Sequence, residues 1–287
     1  MPMPSPYGLP TGPAFGTLID PRRLGPRIGR PGLVVLDASV GAHRDAGRHI
    51  PGARPFDIDG ALSDHTGPLP HTMPGAEAFT EAVRALGVDD HSTVVVYDAA
   101  GIYSSARARW MFKAMGFDNV AVLDGGLPAW EAAGLPVEPG PPGPAPRRGG
   151  FTARPRPGLL VGAAEVAAAL AEPGAAVLDA RTRGRFAGTE PEPRPGLRAG
   201  HMPGARSLPF GELQDPDGRM LPAPRLREAI EAAAGPSERL YFSCGSGVTA
   251  CVLALAAELA GYDDLSVYDG SWGEWGLPGP LPVVEGP

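Results

Sequence analysis

The chain has 287 residues, is 43% hydrophobic and carries a net charge of −7 at neutral pH. That length suits one large or two medium domains with real cores, and the acidic balance offers no basic surface for a nucleic acid or an anionic membrane. Two cysteines argue against a disulfide-built secreted scaffold, and every apolar stretch falls far short of the roughly 20 residues of a bilayer span. The expected setting is therefore the cytoplasm, with neither a membrane nor a nucleic acid as partner. The opening MPMPSPYGLPTGP has no basic and no apolar region, and reads as a loose tail rather than a signal peptide.

In chain order, residues 33–37 form a short apolar run that reads as a buried strand. Residues 77–86 set Phe79, Val83 and Leu86 on one helical face. Residues 93–97 are a continuous apolar strand, 106–115 a helix and 120–123 another strand. The Pro/Gly-rich stretch 137–150, VEPGPPGPAPRRGG, lacks apolar periodicity. A linker over 139–150 then separates a first domain at 14–138 from a second at 151–287. In the second, the run from Arg239 to Phe242 leads to Cys244, a Gly-Ser-Gly loop and a helix over 248–260. Strands interleaved with helices predict an α/β fold with a parallel sheet in each half. Ligands of such sheets gather at the carboxyl ends of the strands, and Cys244 directly follows one of them.

The chain repeats itself. VLDA at 35–38 recurs at 177–180, His49-Ile-Pro-Gly-Ala53 recurs as His201-Met-Pro-Gly-Ala205, and LDGGLPAW ending at Trp130 recurs as YDGSWGEW ending at Trp275. The offsets are 179 − 37 = 142, 201 − 49 = 152 and 270 − 125 = 145. An offset that varies around one value marks duplicated domains with loop insertions. The rise from 142 to 152 puts an insertion in the second half, within 188–200. Aligning 96–101 with 241–246 sets Ala99 opposite Cys244, so the first half has no nucleophile.

A cysteine between a strand, a glycine-bearing loop and a helix N-terminus sits where backbone N–H groups and the helix dipole favour a thiolate. Such a cysteine is a nucleophile. Cys251 lies inside the following helix among Val252, Leu253 and Leu255 and reads as core. If both cysteines are helical they are about 10 Å apart, too far for a disulfide. A cysteine phosphatase needs an arginine six positions after its nucleophile, and Ala250 stands there. No Cys/His cluster has metal spacing, so neither metal nor other cofactor is expected. His49 and His201 recur in the active and the silent half, which points to a role in the fold.

These motifs together (Leu36-Asp-Ala-Ser, His-x-Pro-Gly-Ala twice, Cys244-Gly-Ser-Gly-Val-Thr-Ala250, and Tyr268-Asp-Gly-Ser-Trp272) resemble the tandem-domain rhodanese-type sulfurtransferases, and among them the 3-mercaptopyruvate sulfurtransferases. The resemblance runs from about Leu33 to Trp275. It implies two rhodanese-like domains, each a mostly parallel five-stranded sheet flanked by helices, with only the second catalytic. It implies that Cys244 takes sulfur from a small donor as a persulfide and passes it to a thiol, a thioredoxin-like protein or cyanide; a monomer is expected. Arg185 and Arg194, flanking the insertion, are the expected carboxylate binders, because an arginine fork matches a carboxylate with two parallel N–H bonds. Gly245, Gly247, Val248 and Thr249 would line the donor site with the loop.

Thiosulfate-specific relatives typically carry basic residues after the cysteine, and here Gly245 and Ser246 are neutral. That favours 3-mercaptopyruvate, with thiosulfate as the alternative donor. Ser246 is expected to bond the substrate or relay a proton. The stretch from Leu62 to His71 resembles the part of the first domain that faces the site, so Asp64 and His71 are the expected relay partners. Arg107 matches a recurrent interdomain arginine of structural role. Where relatives often carry Pro and a second Trp, this chain has Ala106 and Arg109, so the domain contacts are not carried over. Trp272 and Trp275 are expected to pack the site's wall.

Overall fold

The computed structural model describes residues 14–286; the opening tail, 1–13, lies outside the described residues. The first half contains β1 (Leu18–Ile19), α1 (Pro21–Leu24), β2 (Leu33–Asp37), β3 (Arg48–His49), β4 (Arg54–Pro55), α2 (Ala76–Ala85), β5 (Thr93–Tyr97), α3 (Ser105–Ala114), β6 (Val120–Leu123), α4 (Gly126–Ala132) and β7 (Glu138–Pro139). The second contains β8 (Leu160–Val161), α5 (Ala163–Ala169), β9 (Ala175–Asp179), α6 (Arg183–Ala187), β10 (Arg206–Ser207), α7 (Ala223–Ala234), β11 (Arg239–Ser243), α8 (Ala250–Leu259), β12 (Leu265–Tyr268) and α9 (Ser271–Trp275). Each half builds one five-stranded sheet, in the order β1-β6-β5-β2-β4 and β8-β12-β11-β9-β10. All pairings within these sheets are parallel. The two orders are the same plan used twice, as the internal repeat requires.

Central strands of such a sheet are covered on both faces and so are apolar throughout; Val94, Val95 and Val96 of β5 are fully buried. Helix α8 is equally one-sided in composition. Residues from Ala250 to Ala257 are all buried, because α8 packs between its own sheet and α3 of the other half. A helix that is apolar all round belongs inside. Its charged residue near the end, Glu258, meets Arg109 and Lys113 of α3. Arg109, a departure from the family pattern, thus serves the domain contact.

The halves also exchange loops. Met73 of the first half donates its N–H to Asp269 Oδ2 at 2.8 Å, and Met220 of the second donates to Asp124 Oδ1 at 3.1 Å. Each half therefore lays a loop over the strand–loop–helix of the other.

Two boundaries differ from the sequence expectation. The linker does not end at 150: Phe151 is buried among Phe79, Phe112 and Phe117 of the first half, and Arg154 and Arg156 donate their N–H groups to Met115 and Ala114 carbonyls. Burial of an aromatic ring outweighs the turn-rich composition before it. The linker's start is also held, by β7 pairing antiparallel with β3.

The second correction concerns Ala99. In the sheets, Asp37 pairs with Tyr97, and Asp179 pairs with Ser243. Tyr97 thus matches Ser243, and the next residue, Asp98 rather than Ala99, stands where Cys244 stands. The loop of the first half is one residue longer: α3 begins seven residues after Asp98 (105 − 98), α8 six after Cys244 (250 − 244). Sequence alignment absorbed that residue before the loop instead of within it.

Candidate active site

Cys244 follows β11 directly, with only 1% of its surface exposed. The loop turns at Gly247, whose φ of +73° and whose absent Cβ, which would come 2.8 Å from Asp269 O, both demand glycine. The Ser246 N–H points at Cys244 Sγ, 3.5 Å away. The amides of Gly245, Val248 and Thr249 meet no acceptor among the described residues. Free amides around a sulfur at a helix N-terminus form a place for an anion. The Gly247 amide is not one of them: with that of Cys244 it bonds Ser271 Oγ, each at 3.1 Å. Gly247 therefore shapes the loop rather than offering its N–H to a donor. The Thr249 side chain makes no capping bond to α8.

Helix α6 brings up the first arginine. Thr182 caps it, accepting the Arg185 N–H at 3.2 Å. The insertion then folds back, with Thr189 and Glu190 amides on the Gly184 carbonyl. This seats Glu192 between two guanidinium groups, 2.7 Å from Arg181 Nη1 and 2.5 Å from Arg185 Nη2. Arg181 is itself held by Asp179 and lies over the Trp272 ring at 4.2 Å. Arg194 reaches the Gly245 carbonyl with Nη1 at 3.3 Å. A Cβ on Gly245 would lie 3.0 Å from Arg185 Nη2 and 3.9 Å from Arg194 Nη1. Both cationic forks, nine residues apart in sequence, thus converge on the residue beside Cys244.

From the first half comes His71, with Nδ1 3.1 Å from Ser246 Oγ and Nε2 2.8 Å from Asp59 Oδ1. The carboxylate partner is Asp59 and not Asp64. Asp64 closes its own turn, accepting the Thr66 N–H at 2.8 Å. An Asp followed two residues later by a free amide satisfies it locally, whereas Asp59 is also fixed by the Gly41 N–H and Arg44. Since a carboxylate only accepts, Nε2 carries the proton and Nδ1 is an acceptor for the Ser246 hydroxyl. Burial pushes the His71 imidazole below its ordinary value, against the pull of Asp59, and so keeps it neutral. Arg107, fully buried, donates from Nη2 to the His71 carbonyl at 2.8 Å and to Asp269 Oδ1 at 2.6 Å.

Cys251 is core: burial pushes its thiol up to about 12, and Sγ donates to the Gly247 carbonyl. His49 Nδ1 bonds the Gly140 carbonyl, and His201 Nδ1 bonds that of Phe186. Both histidines tie loops to the fold. Trp272 and Trp275 are fully buried against the second sheet. Among the described residues, no three His, Cys, Asp or Glu side chains gather in a way that could hold a metal ion.

Four participants escaped the sequence reading: Asp59, Tyr103, Glu192 and Ser271. Burial and the nearby Cys244 push the Tyr103 phenol up, against Arg185 and Arg194, so it shares their surroundings. Asp57, Asp59 and Asp64 offer three carboxylates in eight residues with nothing local to rank them. Ser271 alone had a signal, as a serine where the first half has Gly126.

A family model described as a rhodanese-like domain matches twice, over residues 20–133 and 162–277. The human 3-mercaptopyruvate sulfurtransferase is 43% identical over 261 residues, covering 87% of this chain and 86% of its own length. A mitochondrial thiosulfate/3-mercaptopyruvate sulfurtransferase of Arabidopsis thaliana is 40% identical over 255 residues, covering 82% of this chain and 67% of its own length. Among solved structures, the 3-mercaptopyruvate sulfotransferase SseA of Escherichia coli superposes with a TM-score of 0.79 at 35% identity, over 90% of this chain and all of that one.

Proposed function

The chain belongs to the rhodanese-like family, and from that premise we propose that it is a sulfurtransferase using 3-mercaptopyruvate as donor. The observation that carries this reading is the convergence of Arg185 and Arg194 on Gly245, next to a cysteine flanked by unpaired amides. Two forks suit the donor's carboxylate and ketone oxygens. The Cys244 thiolate attacks the donor sulfur, the carbon–sulfur bond breaks, and its electron pair is taken up as the enolate of pyruvate. The donor's S–H proton passes through Ser246, with His71 as base and Asp59 steadying the imidazolium, and returns to the enolate carbon. Pyruvate leaves, and a persulfide anion remains on Cys244, held by the loop amides.

In the second half-reaction, an acceptor thiol or cyanide takes the outer sulfur and regenerates the thiolate. A small thiol or a thioredoxin-like protein fits this step. Every group invoked comes from one chain, which suits a monomer. Both cysteines are free thiols, which suits a reducing compartment such as the cytoplasm. No described helix is long and apolar enough to cross a membrane.

Thiosulfate is the second reading, because it needs the same cysteine and cradle. Steady-state kinetics with the two donors side by side separates them: kcat/KM is expected to be larger for 3-mercaptopyruvate, and a larger value for thiosulfate reverses the donor assignment. Cys244→Ser is expected to abolish turnover of both donors with the fold intact; surviving turnover would sink the nucleophile assignment.

A further inference from the structure

We infer that Ser271 is a positioning residue of the sulfur-transfer reaction: its neutral hydroxyl anchors the catalytic loop so that the cysteine is free of that task. The inference rests on Cys244 being the nucleophile, as proposed above.

In the silent half the residue at the head of the loop does the anchoring. Asp98, fully buried, accepts the Ala100 N–H on Oδ1 at 3.0 Å, and those of Tyr103, Ser104 and Ser105 on Oδ2 at 2.9, 3.0 and 2.8 Å. Its carboxylate fills the amide cradle permanently. The turn that closes over it carries Gly126 at φ +57°, where a Cβ would come 2.2 Å from Gly101 O and 2.4 Å from Asp98 O. There is no room for a side chain, and no hydroxyl is needed.

In the catalytic half the head residue is Cys244, whose sulfur must leave the cradle's shelter for the donor and return as a persulfide. It cannot also be the fixed tie of the loop. The tie has moved to Ser271, at the position of Gly126 (271 − 126 = 145, the offset of the flanking DG motif). Its Oγ accepts from Cys244 and Gly247 amides and donates to Tyr268 O at 2.8 Å, so all of its hydrogen-bonding capacity is engaged. Ser271 is fully buried and has φ +49°, a left-handed conformation that a non-glycine residue adopts only when its surroundings impose it. Packing alone is better served by glycine there, so the hydroxyl is the reason for serine. An uncharged acceptor is also required, since a carboxylate beside the loop would oppose the anionic sulfur.

The test compares Ser271→Gly and Ser271→Ala with the parent enzyme, reading kcat and KM for 3-mercaptopyruvate, the thermal midpoint, and the rate of Cys244 alkylation by iodoacetamide at pH 7 against that at pH 10. The other charged and titratable groups around the loop (Arg185, Arg194, Tyr103, His71, Arg107, Asp269 and Cys251) are untouched by either change. Ser271→Gly relieves the left-handed strain, so its midpoint is expected to hold or rise, while kcat falls about tenfold with KM within about twofold. Alkylation at pH 7 is expected to fall severalfold and the pH 10 rate to stay. Ser271→Ala, which keeps the strain and loses the hydroxyl, is expected to show the same loss of kcat with a lower midpoint. Kinetics within twofold of the parent in both variants overturn the inference. So does unfolding of Ser271→Gly, or a kcat loss that follows the midpoint alone, since each makes Ser271 a packing residue. Turnover by Cys244→Ser is a different failure: it removes the nucleophile assignment itself and is read without touching Ser271.

Discussion

The two strand–loop–helix units solve one problem in opposite ways. Both end a central strand in a turn whose amides face inward at a helix N-terminus. In the first, Asp98 supplies the acceptor from within the chain, and four N–H groups close on its carboxyl oxygens, against a burial that pushes the carboxyl above its ordinary value. In the second, the amides of Gly245, Val248 and Thr249 remain without an acceptor, and only Ser246 N–H approaches the sulfur. The first half's loop therefore has its amides already engaged, and it also lacks a thiol. A cradle meant to hold a transient anion has to be left empty, and the stability the anion would give has to come from a neutral tie elsewhere.

The largest test of this contrast is the proposed relay that crosses from the first half into the Cys244 loop. His71→Gln is expected to lower kcat by about 10²-fold or more, the usual range for general acid–base catalysis. Because burial holds the imidazole below its ordinary value of about 6.5, the working neutral form persists at neutral pH and is lost only as pH falls through that lowered value. The acid limb of kcat/KM assigned to His71 should lie below 6.5 and disappear in His71→Gln; an unaltered limb would detach His71 from the reaction. The sign for stability is the same. The unfolded chain takes up this proton first, so the fold loses stability as pH drops below about 6.5.

Next comes the occupied cradle. Asp98→Ala leaves four buried N–H groups without an acceptor, at a cost on the order of 3 kcal/mol. Urea denaturation should show it as a lower midpoint. A midpoint equal to the parent's would mean that water satisfies the loop and that the carboxylate is incidental.

The arginine forks follow. Arg185→Ala and Arg194→Ala are each expected to weaken kcat/KM for 3-mercaptopyruvate by about 1.5–3 kcal/mol, the worth of a charged hydrogen bond. Unchanged kinetics would make both plain surface residues. The smallest effects separate the two aspartates. Asp59→Asn should cost about tenfold in kcat by releasing the His71 ring, and Asp64→Asn should stay within about twofold, since it only closes a turn. The reverse ranking would restore Asp64 as the partner of His71.

Much of the molecule was written locally. The strands at 33–37, 93–97 and 120–123 end where composition places them, and the helices differ by one or two residues at their ends. The duplicated plan and the cysteine at the strand–helix junction were also readable, because side-chain periodicity and turn chemistry act over a few residues; Arg185 and Arg194 were named only through the family resemblance. What tertiary structure decided is what depends on distance in space. Asp59 prevails over Asp64 because the first faces His71 and the second finds a closer amide. Asp98 rather than Ala99 stands at the cysteine's place because strand register, not string matching, fixes equivalence. Phe151 leaves its expected domain because an aromatic cluster lies within reach. Sequence sets which groups exist and which local shapes they prefer; hydrogen-bond partners are chosen by proximity across the fold, and proximity between residues 175 apart, as for His71 and Ser246, is settled only when both sheets are packed.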